Sequence, residues 1–157
     1  MKKILRIILV VVVCVTIGFL SGMVTRESIT TWYPTLVKPI FNPPNWIFAP
    51  VWTLLYIMMG ISAGLFWTAG ADEQTTKKGL GFFAIQLGLN ALWSYLFFGL
   101  HNPFLALTEI ILLWLMIFET YNVFKKIDKT AGLLLLPYLA WVSFATLLNA
   151  SIWWLNK

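Results

Sequence analysis

Three stretches of this chain, Pro39–Ala71, Gly79–Thr108 and Thr130–Asn156, contain no Asp, Glu, Lys or Arg. A bilayer's hydrocarbon core is crossed by about 20 apolar helical residues, so charge-free stretches of this length predict membrane spans. Inside lipid each backbone N–H and C=O must be bonded within its own helix, which excludes open sheets and irregular loops from most of the chain. A hydrophobic content of 60% and a mean hydropathy of +0.83 exclude an ordinary water-soluble domain.

The remaining charges and the helix breakers divide the chain into a single all-α domain, residues 1–157, of five transmembrane helices near 5–24, 46–69, 79–100, 103–124 and 130–155. The first could be a signal peptide. Its uncharged run Ile7–Thr25 is longer than a usual signal core and lacks a small-x-small cleavage site, so a retained helix is expected. Asn102-Pro103 reads as an N-cap followed by proline at the first helical position, a tight hairpin between helices three and four. Pro137 should kink helix five, and Gly60 and Gly64 should let another helix approach helix two closely.

With five spans, the connectors alternate sides. Lys2, Lys3, Arg6, Lys77, Lys78, Lys125, Lys126 and Lys129 fall on one side; Arg26, Lys38 and Lys157 fall on the other. The positive-inside rule then puts the N-terminus in the cytoplasm and the C-terminus outside, with a bacterial inner membrane favoured. The basic residues come as scattered pairs and build no stripe for nucleic acid. Cys14 is the sole cysteine, so no internal disulfide is expected, and no metal-binding spacing occurs.

The long connector Arg26–Asn45 thus becomes an extracytoplasmic loop between helices one and two. Pro34, Pro39, Pro43 and Pro44 stiffen it, and Trp32, Tyr33 and the adjoining Trp46 make it aromatic, so it reads as a lid. On helix three, Asn90, Trp93, Ser94 and Phe97 share a face; on helix five Tyr138, Trp141, Ala145, Leu148 and Asn149 do the same. Rings with a few amides and hydroxyls are the usual lining of a pocket for a flat apolar ligand. They are equally the makeup of an ordinary bundle interior, with Asn as interhelical glue.

Trp32-Tyr33-x-x-Leu36-x-Lys38-Pro39-x-Phe41-x-Pro43-Pro44-x-Trp46-x-Phe48-x-Pro50-Val51-Trp52-x-x-Leu55-Tyr56 resembles the signature of the translocator protein, or tryptophan-rich sensory protein, family. Gln86-Leu87-x-Leu89-Asn90-x-x-Trp93-Ser94 and Leu136-Pro137-Tyr138-x-Ala140-Trp141-x-x-Phe144-Ala145 extend the resemblance over three helices in the same order. It implies a five-helix bundle, usually dimeric, with a pocket opening toward the first loop. It also implies a receptor or binding protein for porphyrins, notably protoporphyrin IX and haem, and for drug-like isoquinoline carboxamides and benzodiazepines. No cofactor is required beyond the bound porphyrin. The alternatives are a light- and oxygen-dependent porphyrin-degrading enzyme, with Trp52 and Trp141 as redox-active rings, and a tetrapyrrole or lipid transporter.

Carried onto this chain, the ligand site comprises Trp32, Tyr33, Pro44, Trp46, Trp52, Tyr56, Asn90, Trp93, Ser94, Phe97, Tyr138, Trp141, Ala145 and Leu148. Arg26 and Lys38 could pair with propionates or be plain loop charges. His101 is a haem ligand or a turn residue. Glu109 and Glu119, the acids within a span, lie near the ends of helix four; the resemblance gives Glu109 a structural hydrogen bond. The sterol motif of animal relatives fails here, with Ala150 and Trp154 where Tyr and Arg would stand, so sterol binding is not expected.

Overall fold

A computed structural model describes residues 2–157. α1 runs Lys2–Ile29, α2 Phe48–Trp67, α3 Glu73–Ser94, α4 Pro103–Ile127, α5 Lys129–Leu134 and α6 Leu136–Asn156. A π-helical turn, Tyr95–Gly99, extends α3, and α5 with α6 forms one interrupted span, so among the described residues five helical segments are long and apolar enough to cross a membrane. The expected order and number hold. The first helix is longer than expected at both ends, because Lys2, Lys3 and Arg26 continue its hydrogen-bonded turns rather than ending them.

The stop and start signals act as the sequence suggests. Asn102 Oδ1 accepts from Leu105 N at 3.0 Å, with Pro103 at the first helical position. Asp128 caps α5 in the same way, accepting from Ala131 N at 3.1 Å, whereas Asp72, accepting from Thr75 N at 3.1 Å, starts α3 at Glu73 and not near residue 79 as expected. Pro137 has no N–H, and the helix breaks at Leu135, just ahead of it.

α1 meets the bundle mainly through glycine. A Cβ on Gly60 would lie 2.4 Å from Val11 Cα, and one on Gly64 2.7 Å from Ile7 Cα, so backbone touches backbone along α1 and α2. Most other α1 side chains, Ile4, Leu5, Ile8 and Leu9 among them, face outward and are exposed. The core gathers between α2, α3, α4 and α6: Phe66 stacks on Phe124 at 4.2 Å, and Ile110, Leu113 and Ile117 are fully enclosed.

Arg6 lies over Trp67, and Ser62 Oγ donates to the Ala131 carbonyl, so the start of α1, the end of α2 and the start of α5 share one end of the bundle. At the other end Val37 and Asn156 exchange two hydrogen bonds, 2.9 and 2.8 Å, joining the α1–α2 connector to the end of α6. The connector is no open loop. It carries 3₁₀ turns at Tyr33–Thr35 and Asn45–Ile47, and the Lys38 ammonium bonds the carbonyls of Tyr33 and Leu36.

Candidate functional site

Beneath the connector, rings from four segments converge. Trp52 of α2 stands edge-on to Trp141 of α6 at 6.3 Å and lies 6.5 Å from Trp93 of α3. Phe97 stacks on Trp93 at 5.2 Å, Phe48 meets Trp141 at 6.3 Å, and Tyr33 closes the top against Phe48, Phe97 and Phe98. Ala145, Leu148 and Asn149 complete the wall. The enclosed hollow holds only about 30 Å³, about the share of one water molecule. One wall atom is unsatisfied: Trp141 Nε1 is buried without a hydrogen-bond acceptor.

A second hollow, of about 340 Å³, opens between α1 and α2 on the far side of Trp52. It is lined by Gly18, Ser21, Arg26, Thr53, Tyr56 and Ser94 among others, and it shares Thr25, Phe48 and Trp52 with the inner chamber. Glycine makes its floor, since any Cβ at Gly18 would strike the Tyr56 ring. The Trp52 side chain is thus a wall common to both spaces.

Under the chamber lies a closed polar joint. Tyr56 donates to Asn90 Oδ1 at 2.6 Å, Asn90 Nδ2 donates to the Tyr138 hydroxyl at 2.6 Å, and that hydroxyl donates to Gln86 Oε1 at 2.7 Å. The chain ties α2, α3 and α6 inside the bundle with each of these atoms engaged. Nearer the chamber, Trp93 Nε1 donates to Asn149 Oδ1 at 3.0 Å, and Asn149 Nδ2 donates to the Pro103 carbonyl at 2.8 Å.

The TspO/MBR family pattern matches residues 10–155. The chain belongs to the TspO/MBR family. It is 44% identical over 155 residues to the tryptophan-rich protein TspO of Chlorobaculum tepidum, covering 99% of this chain and 98% of that one. It is also 44% identical over 154 residues to the protein of the same name from Archaeoglobus fulgidus, covering 98% and 99% respectively. The bovine translocator protein is 38% identical over 141 residues, covering 89% of this chain and 83% of its own. With five apolar helices, this TspO/MBR member is an integral membrane protein.

The site residues suggested by the family resemblance are not all brought together. Tyr33, Trp52, Trp93, Phe97, Trp141, Ala145 and Leu148 line the inner chamber. Tyr56 and Ser94 line the outer hollow instead, and Tyr56 also joins Asn90 and Tyr138 in the joint beneath. Trp32 lies behind the wall, stacked on His101 at 4.3 Å and edge-on to Phe97. Pro44 contributes to neither hollow, and Trp46, 73% exposed, points away from both. Phe48, Phe98 and Phe144 were missed. Phe48 and Phe144 stand within the stretches that carry the resemblance, and Phe98 lies one position after Phe97, so the signal was present without a reason to choose them over ordinary packing.

Two further residues named from the sequence are His101 and Glu109. His101 is a turn residue with φ +54°, held by its stack on Trp32 and by Ser28 Oγ at 2.9 Å, while Ser28 donates to the Phe98 carbonyl. Glu109 is 6% exposed and neither carboxyl oxygen has a hydrogen-bond partner, so the structural hydrogen bond expected for it is not made. Glu109 belongs to the buried face of α4, with Ala106, Ile110 and Leu113. Glu119 by contrast is exposed.

Outside the spans, burial pushes the Tyr33 phenol up from its ordinary 10 to about 12, against the opposing effect of its hydrogen bond to Asn42. That bond, Tyr33 hydroxyl to Asn42 Oδ1 at 2.7 Å, pins the connector to itself directly over the chamber.

Proposed function

We propose that this protein is a membrane receptor for porphyrins and similar flat apolar ligands, held in the aromatic chamber between Trp52, Trp93 and Trp141. One observation carries the reading: Trp141 lines the chamber, and among the described residues its buried Nε1 has no acceptor. An unpaired buried donor costs roughly 1–3 kcal/mol, and a ligand carbonyl, carboxylate or pyrrole nitrogen reaching it would recover that cost. The names of the relatives, translocator and tryptophan-rich proteins, are compatible with a receptor of this kind.

The chemistry of the wall suits a tetrapyrrole; its volume in this arrangement does not. Ligand pockets typically occupy 300–1,000 Å³, about ten times or more the roughly 30 Å³ found here. Rotation of the Trp52 ring would join the chamber to the roughly 340 Å³ hollow beside it, and the combined space is the one we assign to the ligand. Arg26 lines that outer hollow and is the cation available to a propionate, whereas Lys38 is committed to connector carbonyls. In the membrane, the end bearing eight cations would face the cytoplasm and the connector would face outward, as a lid.

The test is titration of purified protein with protoporphyrin IX, following tryptophan fluorescence. Stoichiometric quenching is expected, weakened about tenfold or more in Trp141→Phe, which keeps a ring but deletes the donor. Undiminished affinity in that variant would remove the chamber from consideration. Tight packing of Trp52, Trp93 and Trp141 also favours a second reading, in which a photo-excited porphyrin is oxidised by dioxygen while the rings pass electrons. Pigment loss over many turnovers per protein, abolished in Trp52→Phe, would favour that enzyme; a single stoichiometric complex stable in light favours the receptor.

A further inference from the structure

At the bundle end rich in lysine, a wedge of about 610 Å³ opens between the start of α1 and the turn joining α2 to α3. Its cause lies in the helix crossing. Gly60 and Gly64 draw α2 onto the backbone of Val11 and Ile7, which leaves Arg6 alongside Trp67 at the point where the helices part. Gly70, at φ +85°, then turns the chain sharply into α3, and the space between is left unfilled.

The wedge is lined by Lys3, Arg6 and Lys77, with Glu73 the single acid in its wall. The nearby carboxylate of Asp72 is occupied as the N-cap of α3. Glu73 pairs with Lys77 at 2.9 Å, and among the described residues Lys3 and Arg6 have no carboxylate partner. The Arg6 guanidinium is held 4.8 Å over the Trp67 ring, a cation–π contact that holds it at the mouth of the wedge. Trp67 and Leu80 supply an apolar floor, while Ile4, Leu5 and Ile8 on the neighbouring α1 are exposed apolar side chains.

We propose that this wedge binds the phosphate headgroup of an anionic phospholipid from the leaflet at that end. Clustered cations between transmembrane helices at the interface are the recognised chemistry for such headgroups. Arg6 and Lys3 meet the phosphate oxygens as charge-assisted donors, Lys77 is shared between phosphate and Glu73, and the acyl chains follow the apolar flank of α1. The apolar flank is the reason for assigning a lipid rather than a soluble phosphate. The site lies at the opposite end from the aromatic chamber and does not depend on what the chamber binds.

The experiment uses full-length protein incubated with equimolar phosphatidylcholine and phosphatidylglycerol, with retained lipid counted by native mass spectrometry. Wild-type protein is expected to keep phosphatidylglycerol preferentially, and Lys3→Gln with Lys77→Gln to lower that preference about fivefold per cation removed. Lys125→Gln with Lys126→Gln, the same charge change at the same end but outside the wedge, is expected to leave the preference intact. These four side chains are exposed, and melting temperatures of both double variants verify the fold. Equal losses in the two variants would mean a diffuse surface field and overturn the site. No preference in the wild type, or displacement of the lipid by millimolar glycerol 3-phosphate, would overturn it as well.

Discussion

Asn90 shows how a residue beneath the chamber can serve the fold by joining three helices. Its amide oxygen accepts from the Tyr56 hydroxyl, its amide nitrogen donates to the Tyr138 hydroxyl, and it is 2% exposed, so both atoms are already engaged in joining helices. Asn90→Ala should therefore act on stability, lowering it by about 1–2 kcal/mol because the Tyr56 hydroxyl loses its acceptor inside the bundle. Unfolding in detergent by heat or denaturant measures this. Trp141→Phe should behave oppositely: the fold loses an unsatisfied donor, so its stability should hold while ligand affinity falls. The sequence alone could place both residues on inward faces but could not rank them, because hydrogen-bond partners come from other helices. Tyr33 adds a titration. Its phenol has a folded value of about 12 against an ordinary 10, so the unfolded chain ionises first. The stability it contributes is complete below pH 10 and is lost as pH climbs through 12. Tyr33→Phe should remove that part of the alkaline slope, read from melting temperature against pH.

Among the elements, α1 depends on two glycines of α2 more than on its own side chains. A Cβ added at Gly60 or Gly64 would press on the backbone Cα of Val11 or Ile7, atoms that cannot rotate aside. Gly60→Val should force α1 away, lower the melting temperature by several degrees and loosen the connector that α1 carries. Gly88→Ala is the control, since nothing lies within 4 Å of a Cβ there. Faster hydrogen exchange over residues 30–44 in the first variant and none in the second is the expected pattern. Helix number and most boundaries were legible in advance because charges, caps such as Asn102 and the break ahead of Pro137 are local signals. The inward burial of Glu109 was not legible, since it is set by how α4 rotates against its neighbours. The π turn at Tyr95–Gly99 also has no local signature, though it aims Phe97 and Phe98 at the chamber.

For the whole molecule, the decisive relation is that between a nearly filled chamber, a roomier hollow beside it and a tied connector above. The connector is held by the reciprocal bonds of Val37 with Asn156, by Tyr33 with Asn42 and by Lys38. Opening the chamber from above would break several of these together and expose Tyr33. Opening it sideways needs chiefly a rotation of Trp52, which walls both spaces and whose outer side faces a hollow that can receive a displaced ring. Side-chain rotation of this kind is far quicker than release of a bonded segment. Trp52→Ala should therefore raise the association rate of protoporphyrin, and its dissociation rate as well because a ring contact is gone. Asn156→Ala, which cuts the tie at Val37, should leave association unchanged. Stopped-flow measurement of porphyrin emission separates the two variants, and faster uptake in Asn156→Ala alone would put the route through the connector.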